Sequence, residues 1–124
     1  MSTHEKELAN GLKAAVVAVV LEDGTCPATA YMHSVKCEAK FQARFQTLAQ
    51  AGTLRVPEFM RHLSDGVFEI KVEDGPGRRV FGQWKGRVFV VTHGVDKPKP
   101  KAIAKEIDRT HRLFAYWNEK EGLS

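Results

Sequence analysis

The stretch VFEIKVEDGPGRRVFGQWKGRVFVVTHGVDK, Val67 to Lys97, leaves few folds open to this chain. Its side chains alternate with the period of two that a strand imposes, and two glycine-bearing turns cut it into three pieces. In the first strand, Val67 to Val72, Phe68, Ile70 and Val72 point one way and Val67, Glu69 and Lys71 the other. Asp74-Gly75-Pro76-Gly77 then reverses the chain. The second strand, Arg78 to Trp84, sets Arg79, Phe81 and Gln83 against Val80, Gly82 and Trp84. Lys85-Gly86 turns again, and Arg87 to His93 sets Val88, Val90 and Thr92 against Phe89, Val91 and His93. Each strand offers one largely apolar face and one that carries charge or an aromatic. A sheet of this kind is stable only when its apolar face is covered, so the rest of the chain must build the other wall of the core.

The flanking sequence supplies that wall. Residues 1–11 are polar and read as a flexible arm. Ala14 to Leu21 is an apolar, valine-rich run of strand length, and Glu22-Asp23-Gly24 is a turn. Pro27 suits the first position of a helix over Pro27 to His33. A longer helix runs from Val35 to Ala51, where Phe41, Phe45, Leu48 and Ala49 recur at helical spacing and Gly52 ends the pattern. Lys36, Lys40 and Arg44 form a basic stripe on another face of it. Thr53 to Ser64 reads as a connector that tucks Phe59 and Leu63 under the sheet, and Asp65-Gly66 is a turn. After His93, prolines alternating with Lys97, Lys99 and Lys101 break the sheet. Ala102 to Trp117 is helical, with Ile103, Ile107 and Phe114 on one stripe, and residues 118–124 read as a frayed tail.

Length and composition narrow the class. A chain of 124 residues with 43% hydrophobic and 27% charged residues suits one domain, residues 1–124, with a single core. The apolar run at Ala14 is too short to span a bilayer, and Glu5 and Glu7 argue against a secretory leader, so no membrane partner is expected. Cys26 and Cys37 form neither a disulfide framework nor a zinc motif and fit reduced thiols of the cytoplasm. A net charge of +4 permits a polyanion partner without requiring one.

The order strand, helix, helix, three strands, helix brings a set of motifs into line. They are Leu63-Ser64-Asp65-Gly66-Val67-Phe68-Glu69-Ile70-Lys71, Gly77-Arg78-Arg79-Val80-Phe81, Thr92-His93-Gly94-Val95-Asp96-Lys97 and Lys105-Glu106-Ile107-Asp108-Arg109. In this order and spacing they resemble the RelE/HigB superfamily of type II toxin–antitoxin toxins, in its phage-derived HigB-like branch, over roughly Val16 to Tyr116. Val95, Pro98 and Thr110 depart from the branch pattern, and Glu69 stands where the RelE branch carries a cation. The resemblance implies an α+β protein of the small RelE-like fold. Its curved, mainly antiparallel sheet would pack against two N-terminal helices, with a further helix at the C-terminus.

It also implies a ribosome-dependent endoribonuclease that cuts mRNA in the decoding site, inhibits translation and is silenced by a cognate antitoxin. Attack of a ribose 2′-OH on the adjacent phosphate needs a base, charge stabilisation and an acid, and it needs neither a metal nor another cofactor. On this reading Arg79 clamps the scissile phosphate, Lys71 and Lys97 neutralise charge, and Glu69 or His93 takes the 2′-OH proton. Tyr116 or His111 supplies the acid. Arg78, Lys99 and Lys101 bind the strand, and Phe81 or Trp84 stacks on a base. The plainer readings stay open: Arg79 paired with Glu69 as a structural ion pair, His93 bonded within the fold, Phe81 as core, and the lysines as a solvated loop.

The partners implied are mRNA, the ribosome and an antitoxin of helix-turn-helix type, through which operator DNA would be reached. Two other functions remain open on the same fold: a ParE-like toxin that inhibits gyrase without nuclease activity, and a co-repressor that binds its antitoxin without catalysis.

Overall fold

A computed structural model describes residues 3–122. Six strands form one sheet: β1 (Glu5–Asn10), β2 (Ala15–Val19), β3 (Met60–Ser64), β4 (Val67–Val72), β5 (Arg78–Lys85) and β6 (Val88–Asp96). They lie in the order β1-β2-β6-β5-β4-β3, and every neighbouring pair is antiparallel except β2 with β6. Helices α1 (Pro27–Ser34) and α2 (Glu38–Ala51) pack on one face, and α3 (Ile103–Lys120) follows a short 3-10 turn at Pro100–Ala102. This is the expected α+β architecture, with a mainly antiparallel sheet, two N-terminal helices and a C-terminal helix.

The core explains the sequence patterns. Phe41, Phe45 and Leu48 of α2 meet Ile70, Val72, Val80, Phe89 and Val91 of the sheet. The αL conformation of Gly52, with φ 79°, ends the helix and lets its N–H reach the Leu48 carbonyl. The unbroken apolar run in β2 has a different cause. Val16 and Ala18 face α1 and α2, while Val17 and Val19 join Val90 and Trp117 in a second, smaller cluster under α3. A strand covered on both faces has no polar side to show. The valine-rich run expected to be a strand is one, and it is buried on both faces.

Several boundaries move. The expected arm at residues 1–11 contains β1, whose charged Lys6 and Glu7 suit an exposed sheet edge. Met1 and Ser2 lie outside the described residues. The connector before Asp65 contains β3. Asp65 and Gly66, with φ 51° and 80°, form the two-residue turn that joins it to β4. Strand β6 runs on through Gly94 to Asp96 instead of stopping at His93. Helix α3 extends to Lys120, into the segment read as a tail, of which Leu123 and Ser124 lie outside the described residues. The basic stripe of α2 is largely absorbed by the fold. Lys40 pairs with Asp74 at 3.2 Å. Arg44 donates to the Lys71 carbonyl and stacks 3.8 Å from the Phe59 ring.

Candidate functional site

Strand register builds the site. Arg61 pairs with Glu69, Glu69 with Phe81, and Phe81 with His93, so one row crosses four strands. Lys71 lies opposite Arg79 in the neighbouring row. Directly opposed residues share a face, and here it is the face under α3. Two irregularities set this arrangement. A bulge between His62 and Ser64 shifts β3 by one residue and brings Arg61 to the side of Glu69. A second shift, at Phe81 and Gly82, breaks the alternation of β6. Phe89 and Val91 face α1 and α2, whereas His93 turns to α3. The expectation that all three share one face is thus corrected.

At one end of this face lies a cleft of about 330 Å³ lined by Arg61, Glu69, Lys71, Arg79 and Lys97, with Pro98, Pro100 and Ile103 as an apolar wall. Glu69 forms its floor and is 2% exposed. Arg79 Nε is 3.7 Å from Glu69 Oε1, and Arg61 Nη2 is 2.8 Å from Glu69 Oε2. The Arg61 contact is short but off the line a hydrogen bond needs, so Oε2 is buried without a hydrogen-bond partner. Arg79 Nη1 contacts Glu73 Oε1 at 2.7 Å and donates to the Arg78 carbonyl at 3.0 Å. The cleft thus combines four cations with one buried carboxylate. It can hold an oxyanion and accept a proton or hydrogen bond from a neighbouring hydroxyl. A larger hollow of about 740 Å³, lined in part by Lys6, Met32 and Gln42, lies near none of these groups. Among the described residues, no group of three or more His, Cys, Asp or Glu side chains is placed to hold a metal ion.

The remaining candidates lie elsewhere. His93 is completely buried. Its Nε2 is 2.9 Å from Glu106 Oε1 of α3, its Nδ1 is 2.9 Å from Thr92 Oγ1, and its ring stacks on Phe81 with centroids 5.0 Å apart. Burial, opposed by Glu106, holds its pKa down to about 4. The ring is therefore neutral at pH 7, and Nε2 carries the proton that the carboxylate accepts. Neither His93 nor the equally buried Phe81 meets solvent, so neither touches a ligand in this conformation. Arg78 projects from the opposite face and pairs with Asp96 at 2.6 Å, which in turn accepts from Tyr31 Oη. Gly94 is required there, because a Cβ would lie 2.2 Å from the Tyr31 ring. The His-Gly pair thus ties β6 to helices on both faces.

Lys99 and Lys101 are exposed but do not line the cleft. Trp84 packs against Phe89, His111 Nε2 donates to the Asp65 carbonyl, and Tyr116 sits beside His4. None of these three lines the cleft. Sequence reasoning missed Arg61 and Glu73. The Asp65-Gly66 turn signals a hairpin whose first strand contains Arg61, but only the bulge puts that side chain beside Glu69.

No helix among the described residues is long and apolar enough to cross a membrane. No match was found among curated proteins or among solved structures. The family model described as "Phage derived protein Gp49-like (DUF891)" matches residues 32–115, which include every residue lining the cleft. This family is linked to RelE/HigB-like toxins and suggests a toxin–antitoxin context with an antitoxin as partner. With more than half of its length matched, the chain belongs to the phage-derived Gp49-like family.

Proposed function

We propose that the protein is the toxin of a type II toxin–antitoxin pair and a ribosome-dependent mRNA endoribonuclease that inhibits translation. The observation that carries this reading is the cleft in which Arg61, Lys71, Arg79 and Lys97 surround the buried carboxylate of Glu69. A phosphodiester enters among the cations, with the guanidinium of Arg79 as its main contact. Glu69, whose side chain lines the cleft, takes the proton of the 2′-OH. The 2′-oxygen then bonds to phosphorus, the bond from phosphorus to the 5′-oxygen breaks, and an ammonium of Lys71 or Lys97 protonates the leaving oxygen. Four cations stabilise the charge that develops on the phosphorane. His93 has no part in proton transfer here and anchors α3.

Growth, translation and mRNA integrity after expression of the wild type, Arg79→Gln and Lys97→Ala test the proposal. Wild type is expected to stop growth and fragment mRNA, with both variants impaired. Lys97→Ala guards against a folding defect, because Lys97 is exposed whereas Arg79 is buried. Growth arrest with intact mRNA and impaired gyrase would replace the nuclease by a gyrase inhibitor. A wild type harmless on its own would remove the toxin.

A further inference from the structure

Arg79 is the most deeply buried cation of the cleft, and its guanidinium is already occupied by two carboxylates of different kinds. Glu69 is fixed within β4 and is only 2% exposed, on the floor of the cleft. Glu73 lies just past the end of β4, in the loop to β5, and its side chain is 66% exposed although it contacts Nη1 at 2.7 Å. A carboxylate and a phosphate offer an arginine the same kind of paired acceptor oxygens. One of them can therefore replace the other on Nη1.

The loop is shaped for such an exchange. Gly77 has φ +91°, and a Cβ there would lie 3.4 Å from Arg79 Nη1 and 3.2 Å from Lys97 Cβ. Glycine keeps open the point where these two cations approach one another. Glu73 has one side in solvent, so releasing it desolvates nothing. Releasing Glu73 without a replacement would leave the buried guanidinium of Arg79 with the Arg78 carbonyl and with Glu69 alone, 3.7 Å away, as its countercharge, which is costly.

We infer that Glu73 is an internal stand-in for the ligand, a displaceable carboxylate that occupies Arg79 until an RNA phosphate takes its place. The inference rests on the reading of the cleft as a phosphate site and adds how that site is held closed. The empty protein keeps its buried arginine paired, and binding exchanges one oxyanion for another. Affinity is then set by competition with Glu73 as well as by the cations.

The test compares the full-length wild type with Glu73→Gln and with Glu22→Gln. The last removes the same charge from a similarly exposed glutamate that contacts His4 and Lys120 instead. Inorganic phosphate is titrated at constant ionic strength and followed by NMR at Arg79 Nε–H and at the amides of Gly77 and Lys97. These signals are expected to respond in all three proteins. The midpoint should be about 3- to 10-fold lower in Glu73→Gln and within about twofold of wild type in Glu22→Gln. Equal or weaker binding by Glu73→Gln, equal tightening in both variants, or no response at the cleft would overturn the inference. A gain in affinity is not what a merely damaged fold produces. Cleavage of mRNA measured in parallel separates the two claims. Tighter phosphate binding without cleavage refutes the nuclease and leaves the exchange standing, whereas cleavage with unchanged phosphate affinity does the reverse.

Discussion

The two faces of the central sheet are built from the same strands and follow different rules. Under α1 and α2, β4 to β6 present Ile70, Val72, Val80, Phe89 and Val91 to Phe41, Phe45 and Leu48. That face is held by burial and close packing, which are not directional. Under α3 the same strands bury Glu69, Arg79 and His93 against partners that include Glu106. Buried charges gain little net stability and are costly when a partner is removed. The first face therefore carries the larger apolar core, and the second, beside its smaller cluster of Val17, Val19, Val90 and Trp117, departs from local rules where the candidate site lies. The Gly94 backbone joins the two, with Tyr31 packed on one side and His93 bonded on the other just before it.

This contrast can be broken by experiment. The largest effect is expected from Phe41→Ala, which empties a fully buried ring from the apolar face. It should cost about 3–5 kcal/mol in urea unfolding. A loss below about 1 kcal/mol would mean that this face is not the main source of stability.

The polar face should announce itself through pH. The pKa of His93 is lowered by burial to about 4, below its ordinary value of 6.5. Between these values the unfolded chain binds the proton and the folded protein does not, so stability falls as pH drops from about 6.5 to about 4. The loss is on the order of 3 kcal/mol at most. Denaturation midpoints across this range should slope in the wild type and flatten in His93→Gln. Identical slopes would remove His93 as the cause.

The smallest effect sharpens the limits of the cleft. Lys97→Ala should lower mRNA cleavage about tenfold with an unchanged melting midpoint. The double change Lys99→Ala and Lys101→Ala should stay within about twofold of wild type, because neither side chain lines the cleft. Equal losses would extend the site along the lysine-rich loop.

Local patterns made much of the fold legible. The Phe41, Phe45, Leu48, Ala49 stripe marked the buried side of α2, and each of these residues is buried. Alternation correctly grouped Glu69, Lys71, Arg79 and Phe81 on one face. Strands β1 and β3 escaped notice because they lie at the two edges of the sheet, where exposed polar side chains weaken the apolar signal. Of the candidate residues, Glu69, Lys71, Arg79 and Lys97 meet in one cleft, while Arg78, His93, Lys99 and Lys101 lie outside it. The motif spacing that grouped His93 with them reports a position in the chain and carries no information on burial.

The sequence by itself determined the helices, the central strands, the turns and the charges available to β4 and β5, because periodicity and turn chemistry act over a few residues. The faces of Arg61 and His93 were decided only in the tertiary structure. A regular hairpin from the Ser64–Val67 pair would set Arg61 opposite Ile70, and one from the Lys85–Val88 pair would set His93 opposite Val80. One-residue shifts in β3 and between β5 and β6 turn both side chains to the face under α3. A bulge reverses every side chain beyond it, and its position depends on what the two faces must pack against.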